Sequence, residues 1–161
     1  DCNDPHVAAG LLKQFLRELP DPIFTYDMYE NFVQRIVRRD PIALAWRPSN
    51  PQYSLTHTHS LNSGAMASPK DHDVWVPTMR TLFRTLPRTN FLVIKRLVLL
   101  MTEVAAESET NKMTPSNLAI VFAPNMIKSR NEDLLTIMQD TPFINSFLRK
   151  VIESYHEVFD D

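Results

Sequence analysis

Four side chains in this chain have the type and spacing to act on a partner: Lys13, Arg17, Asn117 and Asn125. Lys13 and Arg17 are four apart, so on a helix they are neighbours, a like-charge pairing that costs about 0.2–0.5 kcal/mol. Two adjacent cations attract an anion. It can be Glu18, Asp21 or a more distant carboxylate of the same chain, it can be left to solvent, or it can belong to a partner. The asparagines bracket the apolar stretch Leu118-Ala119-Ile120-Val121-Phe122. Asn117 either helps cap the start of that segment or faces a partner. Asn125 follows Ala123-Pro124, a pair that predicts a rigid corner, and its amide offers both a donor and an acceptor. It is either a turn former or a contact.

Other candidates for chemistry fall away. His57, His59 and His72 share a stretch rich in Ser, Thr, Asn and Pro, without the further ligands and rigid scaffold that zinc needs, and no metal site is expected. Cys2 and His6 form no better pair. Glu103, Glu107 and Glu109 read as a solvated helix end rather than an acid and base. No nucleophile motif is present. Gly10 and Gly64 are the only glycines among 161 residues, so neither a phosphate-cradling loop nor a dinucleotide fingerprint can be assembled. An active site of the chain's own is not expected.

Composition narrows the class. With 17 basic and 19 acidic residues the formal charge is −2, which makes nucleic acid an unexpected partner. A single cysteine allows no internal disulfide and suits a reducing compartment. The densest apolar run, Leu97 to Met101, is far too short to span a bilayer, so direct membrane insertion is not expected and a cytoplasmic location is. The length suits one domain, 1–161, able to bury roughly two-thirds of the surface of its unfolded form.

The groups above must be positioned by helices. Val7, Ala8, Leu11, Leu12, Phe15, Leu16 and Leu19 recur at three- and four-residue steps and predict one amphipathic helix with its apolar stripe on a core. Asp4 caps it, Pro5 suits its first position, and Pro20 and Pro22 end it. Thr25 opens a second helix expected to reach Asp40. From 40 to 73 the periodicity is lost, and a long loop insertion is expected. A third helix is expected from Val74, with Pro77 in its first turn. A long fourth follows, capped by Thr89 or Asn90, with an apolar band broad enough to make it central. Thr114-Pro115 is a cap and first-position proline for a segment that Pro124 should close. A short helix is expected from Asn131, and Thr141-Pro142 should open a closing helix from Phe143 to Val158. No stretch alternates with period two, so the expected fold is an all-α helical bundle.

Two blocks resemble the GTPase-activating domain for Rho-type small GTPases, the RhoGAP domain: Val7-Ala-Ala-Gly-Leu-Leu-Lys-Gln-Phe-Leu-Arg-Glu-Leu-Pro-Asp-Pro22 and Asn111-Lys-Met-Thr-Pro-Ser-Asn-Leu-Ala-Ile-Val-Phe-Ala-Pro-Asn125. The Leu86-Pro87-Arg88-Thr89-Asn90-Phe91 junction and Val104-Ala105-Ala106 agree. The resemblance runs from about Asp4 to His156, apart from the 40–73 insertion. It implies an all-helical domain acting in signal transduction by binding the switch regions of a GTP-loaded Rho, Rac or Cdc-type GTPase and stimulating hydrolysis. It also implies that GTP and Mg belong to the partner and that the chain needs no cofactor itself.

Residue by residue, Lys13 matches the family lysine of the contact surface near the nucleotide, and Arg17 matches the arginine that braces the catalytic loop. Asn125, after Pro124, matches the asparagine that contacts the GTPase, and Asn117 matches a polar residue of the same region. Ala123 stands where the family often has glycine. The family's arginine finger lies upstream of the block beginning at Asp4, so the resemblance assigns no residue of this chain to it. A finger supplied in trans is worth roughly 10³–10⁵ in rate, so this chain alone is expected to be a weak activator and a partial domain. An apolar surface left by an absent N-terminal portion would favour self-association. The alternative is a non-catalytic GTPase-binding or adaptor module on the same scaffold.

Overall fold

A computed structural model describes residues 4–32, 69–130 and 133–160. The described residues contain eight helices and no strand: α1 (Pro5–Glu18), α2 (Tyr26–Phe32), α3 (Pro69–Arg84), α4 (Arg88–Ala106), α5 (Ser108–Asn111), α6 (Pro115–Met126), α7 (Leu134–Glu153) and α8 (Tyr155–Phe159). The all-α bundle expected from the periodicity is the fold observed. Residues 33–68, which hold the rest of the expected second helix and most of the expected loop, lie outside the described residues, as do Cys2, His57, His59 and Asn131.

Three of the expected start signals, at Asp4, Thr25 and Thr114, work as the sequence predicts. Asp4 accepts a hydrogen bond from the His6 amide at 2.8 Å with Pro5 in the first turn, and Thr114 accepts from the Asn117 amide at 3.2 Å ahead of Pro115. Thr25 caps α2 by accepting from the Met28 amide at 3.2 Å. It does so at φ 51, a left-handed conformation that is costly for a β-branched residue.

The stops at Pro20 and Pro87 hold as well, but other boundaries do not. Three prolines expected at boundaries lie inside helices. α3 begins at Pro69, within the expected 40–73 loop, and runs through Pro77. α6 passes through Pro124 to Met126. α7 is continuous from Leu134 through Pro142, where a short helix and a fresh start were expected. An interior proline costs about 3 kcal/mol or more through a lost donor and a ring clash. Each of these prolines is exposed, and a polar side chain next to each donates to the carbonyl one position away from the one the proline leaves without its helical donor: Thr78 to Val74 O at 2.7 Å, Asn125 to Val121 O at 2.9 Å and Thr141 to Ile137 O at 2.5 Å. Beyond each proline the helix carries buried apolar side chains: Met79 and Phe83, then Met126, then Ile144, Phe147 and Leu148. Burial worth about 1.5–3 kcal/mol for each large side chain offsets the local loss.

α4 is the central element, touching α3, α5, α6, α7 and α8. Ile94, Leu97, Val98 and Met101 are buried, while Leu92, Val93 and Leu100 are exposed, so it keeps a solvent face. Neither expected cap starts it: Pro87 holds the N-cap position without a side-chain bond, and Asn90 is used elsewhere. The closing helix breaks at the buried Ser154, after which α8 turns back to add Tyr155, Val158 and Phe159 to the core. Phe83 sits among Phe24, Phe147 and Phe159, with ring centroids 4.8–6.4 Å apart. This aromatic group joins α3, α7 and α8 to the connector between α1 and α2.

Helix α1 departs from expectation in burial. Leu16 is fully buried and Leu12 and Leu19 pack partly on the core, but Val7, Leu11 and Phe15 are 49%, 58% and 58% exposed. The helix rests mainly on α6. One neighbouring helix covers only a narrow sector of so wide a stripe, and the sequence cannot say which sector that is.

Candidate functional site

The cations lie on the flank of α1 left open by that packing. Arg17 is exposed and Lys13 half-buried. Among the described residues neither side chain forms a hydrogen bond or ion pair, so Glu18 and Asp21 do not neutralise them. Glu18 is held by Gln14, whose amide donates to it at 2.9 Å, and Asp21 accepts from the Tyr26 amide at 3.1 Å.

Because α1 packs on α6, its last turn comes beside the end of α6, where Pro124 is exposed and Asn125 half-buried. Asn125 does not stand beyond a helix-ending corner, as its sequence suggests. It belongs to the last turn of α6, where Nδ2 donates to Val121 O at 2.9 Å. Its remaining amide capacity is the carbonyl oxygen as acceptor and the second N–H as donor, so it can meet either a donor or an acceptor on a partner. Ala123 is fully buried within the same helix.

Asn117 sits at the other end of α6. Its Nδ2 donates to Lys112 O at 2.8 Å, closing the turn in which Lys112 adopts φ 60. That contact accounts for its side chain as part of the helix entry. Of the expected site residues, Arg17 lies in the last turn of α1, which Lys128 bonds just beyond α6, Lys13 lies one turn earlier on α1, Pro124 and Asn125 lie in the last turn of α6, and Asn117 lies at the N-terminal end of α6.

Three contacts that spacing does not reveal hold this junction. The Phe24 amide donates to Met126 O at 3.3 Å, Asn90 Nδ2 donates to Ile23 O at 2.9 Å, and Lys128 Nζ donates to Arg17 O at 2.7 Å. Each joins residues far apart in the chain, so no local pattern announces it. Nearby, Arg130 pairs with Asp27 at 3.0 Å and lies over the Tyr26 ring, and the Tyr29 hydroxyl donates to Asp140. No group of three or more potential metal ligands occurs among the described residues. No helix among them is long and apolar enough to cross a membrane.

Among the described residues, then, the all-helical domain carries Lys13 and Arg17 without ion pairs on its first helix and fastens the end of that helix to the end of the proline-containing α6. The profile of the RhoGAP domain matches residues 1–131, and the chain belongs to that family. It is 32% identical over 164 residues to Rho GTPase-activating protein gacJJ of Dictyostelium discoideum, covering 98% of this chain and 15% of that protein. To Rho GTPase-activating protein 17 of Homo sapiens it is 33% identical over 136 residues, covering 84% of this chain and 12% of that protein. The chain thus spans a small part of the length of the curated relatives it matches.

Among solved structures, human Rho GTPase activating protein 15 aligns with a TM-score of 0.69 at 23% identity, over 99% of this chain and 63% of that one. The BH domain from GRAF, the GTPase regulator associated with focal adhesion kinase, aligns at 0.62 and 21% identity, over 93% and 63%. At that identity the likeness is one of fold.

Proposed function

We propose that this chain is the GTPase-docking part of an activator of Rho-type small GTPases, with no active site of its own. Lys13, Arg17, Pro124 and Asn125 form the docking surface, and the GTP and Mg used in hydrolysis are the partner's. The observation that carries this reading is the packing of α1 on α6. Lys13 and Arg17, without acidic partners among the described residues, are carried on α1, whose last turn Lys128 ties to the end of α6, where Pro124 is exposed and Asn125 half-buried. Such cations suit the acidic and phosphate groups of a loaded GTPase, and the names of the relatives point the same way. Asn117 contributes by shaping the entry to α6 rather than by contact. In this reading Lys13, Arg17, Pro124 and Asn125 bind and position the partner and do not supply the charge of the family's rate-enhancing arginine.

Binding of the chain to Rho, Rac and Cdc-type GTPases, loaded with a non-hydrolysable GTP analogue or with GDP, tests this. A loaded member should bind preferentially, and Lys13→Ala and Asn125→Ala should each weaken binding by about tenfold, equivalent to about 1.4 kcal/mol. Unchanged affinity in both variants would remove the site assignment. A hydrolysis assay comparing the chain with an upstream-extended form tests the origin of the rate enhancement.

A further inference from the structure

We infer that Lys128 is a positioning residue for the docking surface, acting through Arg17 rather than by touching the partner; this rests on the functional reading above. The last turn of α1 leaves its carbonyls without helical donors, because the backbone turns extended at Leu19 (φ −60, ψ 133) and prolines follow at positions 20 and 22. An orphaned carbonyl at a helix end needs a donor from elsewhere. Lys128, two residues beyond the end of α6, supplies one to Arg17 O at 2.7 Å. Its positive charge also complements the negative end of the α1 dipole.

The two residues it joins belong to the two halves of the site. Arg17 carries one of the exposed cations, and Lys128 follows three residues after Asn125. The Phe24 amide on Met126 O and Asn90 on Ile23 O hold the following connector on the same side. Those bonds fix where the connector lies. Lys128 fastens the last turn of α1 itself, through Arg17 O, to the segment that follows α6, and so holds the helix that carries the Arg17 side chain in place against the end of α6. Preorganising a long side chain in this way lowers the entropy lost on binding.

The test uses Lys128→Met, which keeps the aliphatic stem, and Lys128→Arg, which keeps a donor. Two readouts are taken: amide hydrogen exchange over residues 17–25, and affinity for a Rho-type GTPase loaded with a non-hydrolysable GTP analogue. Lys128→Met should lower protection in that segment and weaken binding about five- to tenfold, and Lys128→Arg should restore both. In an Arg17→Ala background Lys128→Met should cost no further affinity, because its effect passes through Arg17. Unchanged protection in Lys128→Met overturns the inference, as does full additivity with Arg17→Ala. Failure of the unaltered chain to bind any loaded GTPase, with protection still dependent on Lys128, sinks the functional reading and with it any role in docking.

Discussion

Asn90 and Ile23, 67 residues apart in sequence, are joined by a hydrogen bond of 2.9 Å from the Asn90 amide to the Ile23 carbonyl. This bond ties the first turn of α4 to the connector between α1 and α2, where Pro22, Ile23 and Phe24 are all buried. A buried carbonyl that loses its partner bears its full desolvation cost. Asn90→Ala should therefore destabilise the chain by about 1–3 kcal/mol, measured as a shift in the urea midpoint at constant slope. A change below a few tenths would show that water replaces the amide.

The split of the α1 stripe has a direct consequence. Leu16 is fully buried, and Leu11, on the same helix, is 58% exposed. Leu16→Ala should cost about 2–5 kcal/mol by opening a cavity. Leu11→Ala should stay within about 0.5 kcal/mol, as surface substitutions do, with alanine's helix propensity compensating the lost contact. Equal losses from the two variants in urea denaturation would mean that the whole stripe is covered in solution.

Pro77 offers a test of the balance inside α3. It lies mid-helix and exposed, and the buried Met79 and Phe83 follow it. Pro77→Ala restores a backbone donor toward Asp73 and removes the ring clash, offset in part by the freer unfolded chain. Stability should rise by about 1–2 kcal/mol, seen as a higher thermal midpoint. A fall would show that the proline ring itself helps to seat Phe83.

The end of α8 carries a proton-sensitive contact. Asp160 is held below the ordinary carboxylate value of 3.8, first by its hydrogen bond with His156; desolvation opposes this, and the hydrogen bond and charge of Lys95 lower it further. Those partners lie at 2.8 Å and 3.4 Å. A depressed carboxylate contributes fully above its unfolded value and loses its contribution as pH falls through the lowered folded value. The loss therefore falls in the acid range below 3.8. An NMR titration should place the Asp160 midpoint below 3.8 and move it upward in His156→Ala. A midpoint at the ordinary value in the unaltered chain would remove the contact from the solution structure.

What the sequence determined by itself is local. The helical class, the caps at Asp4, Thr25 and Thr114, and the placing of Lys13 and Arg17 on one flank follow from interactions within about four residues, which any window of the chain contains. The family was legible too, from the long blocks around Lys13 and Asn125. Only the tertiary structure decided which sector of the α1 stripe is covered, that helices pass through Pro77, Pro124 and Pro142, and that Asn90 fastens a connector instead of capping α4. Each of these sets a local penalty or preference against burial and hydrogen bonds contributed by residues tens of positions away. Such sums exceed what one proline or one cap can oppose. The junction of α1 with α6 is of this kind: its side chains could be named from the chain, but Lys128 reaches Arg17 only once the helices have packed.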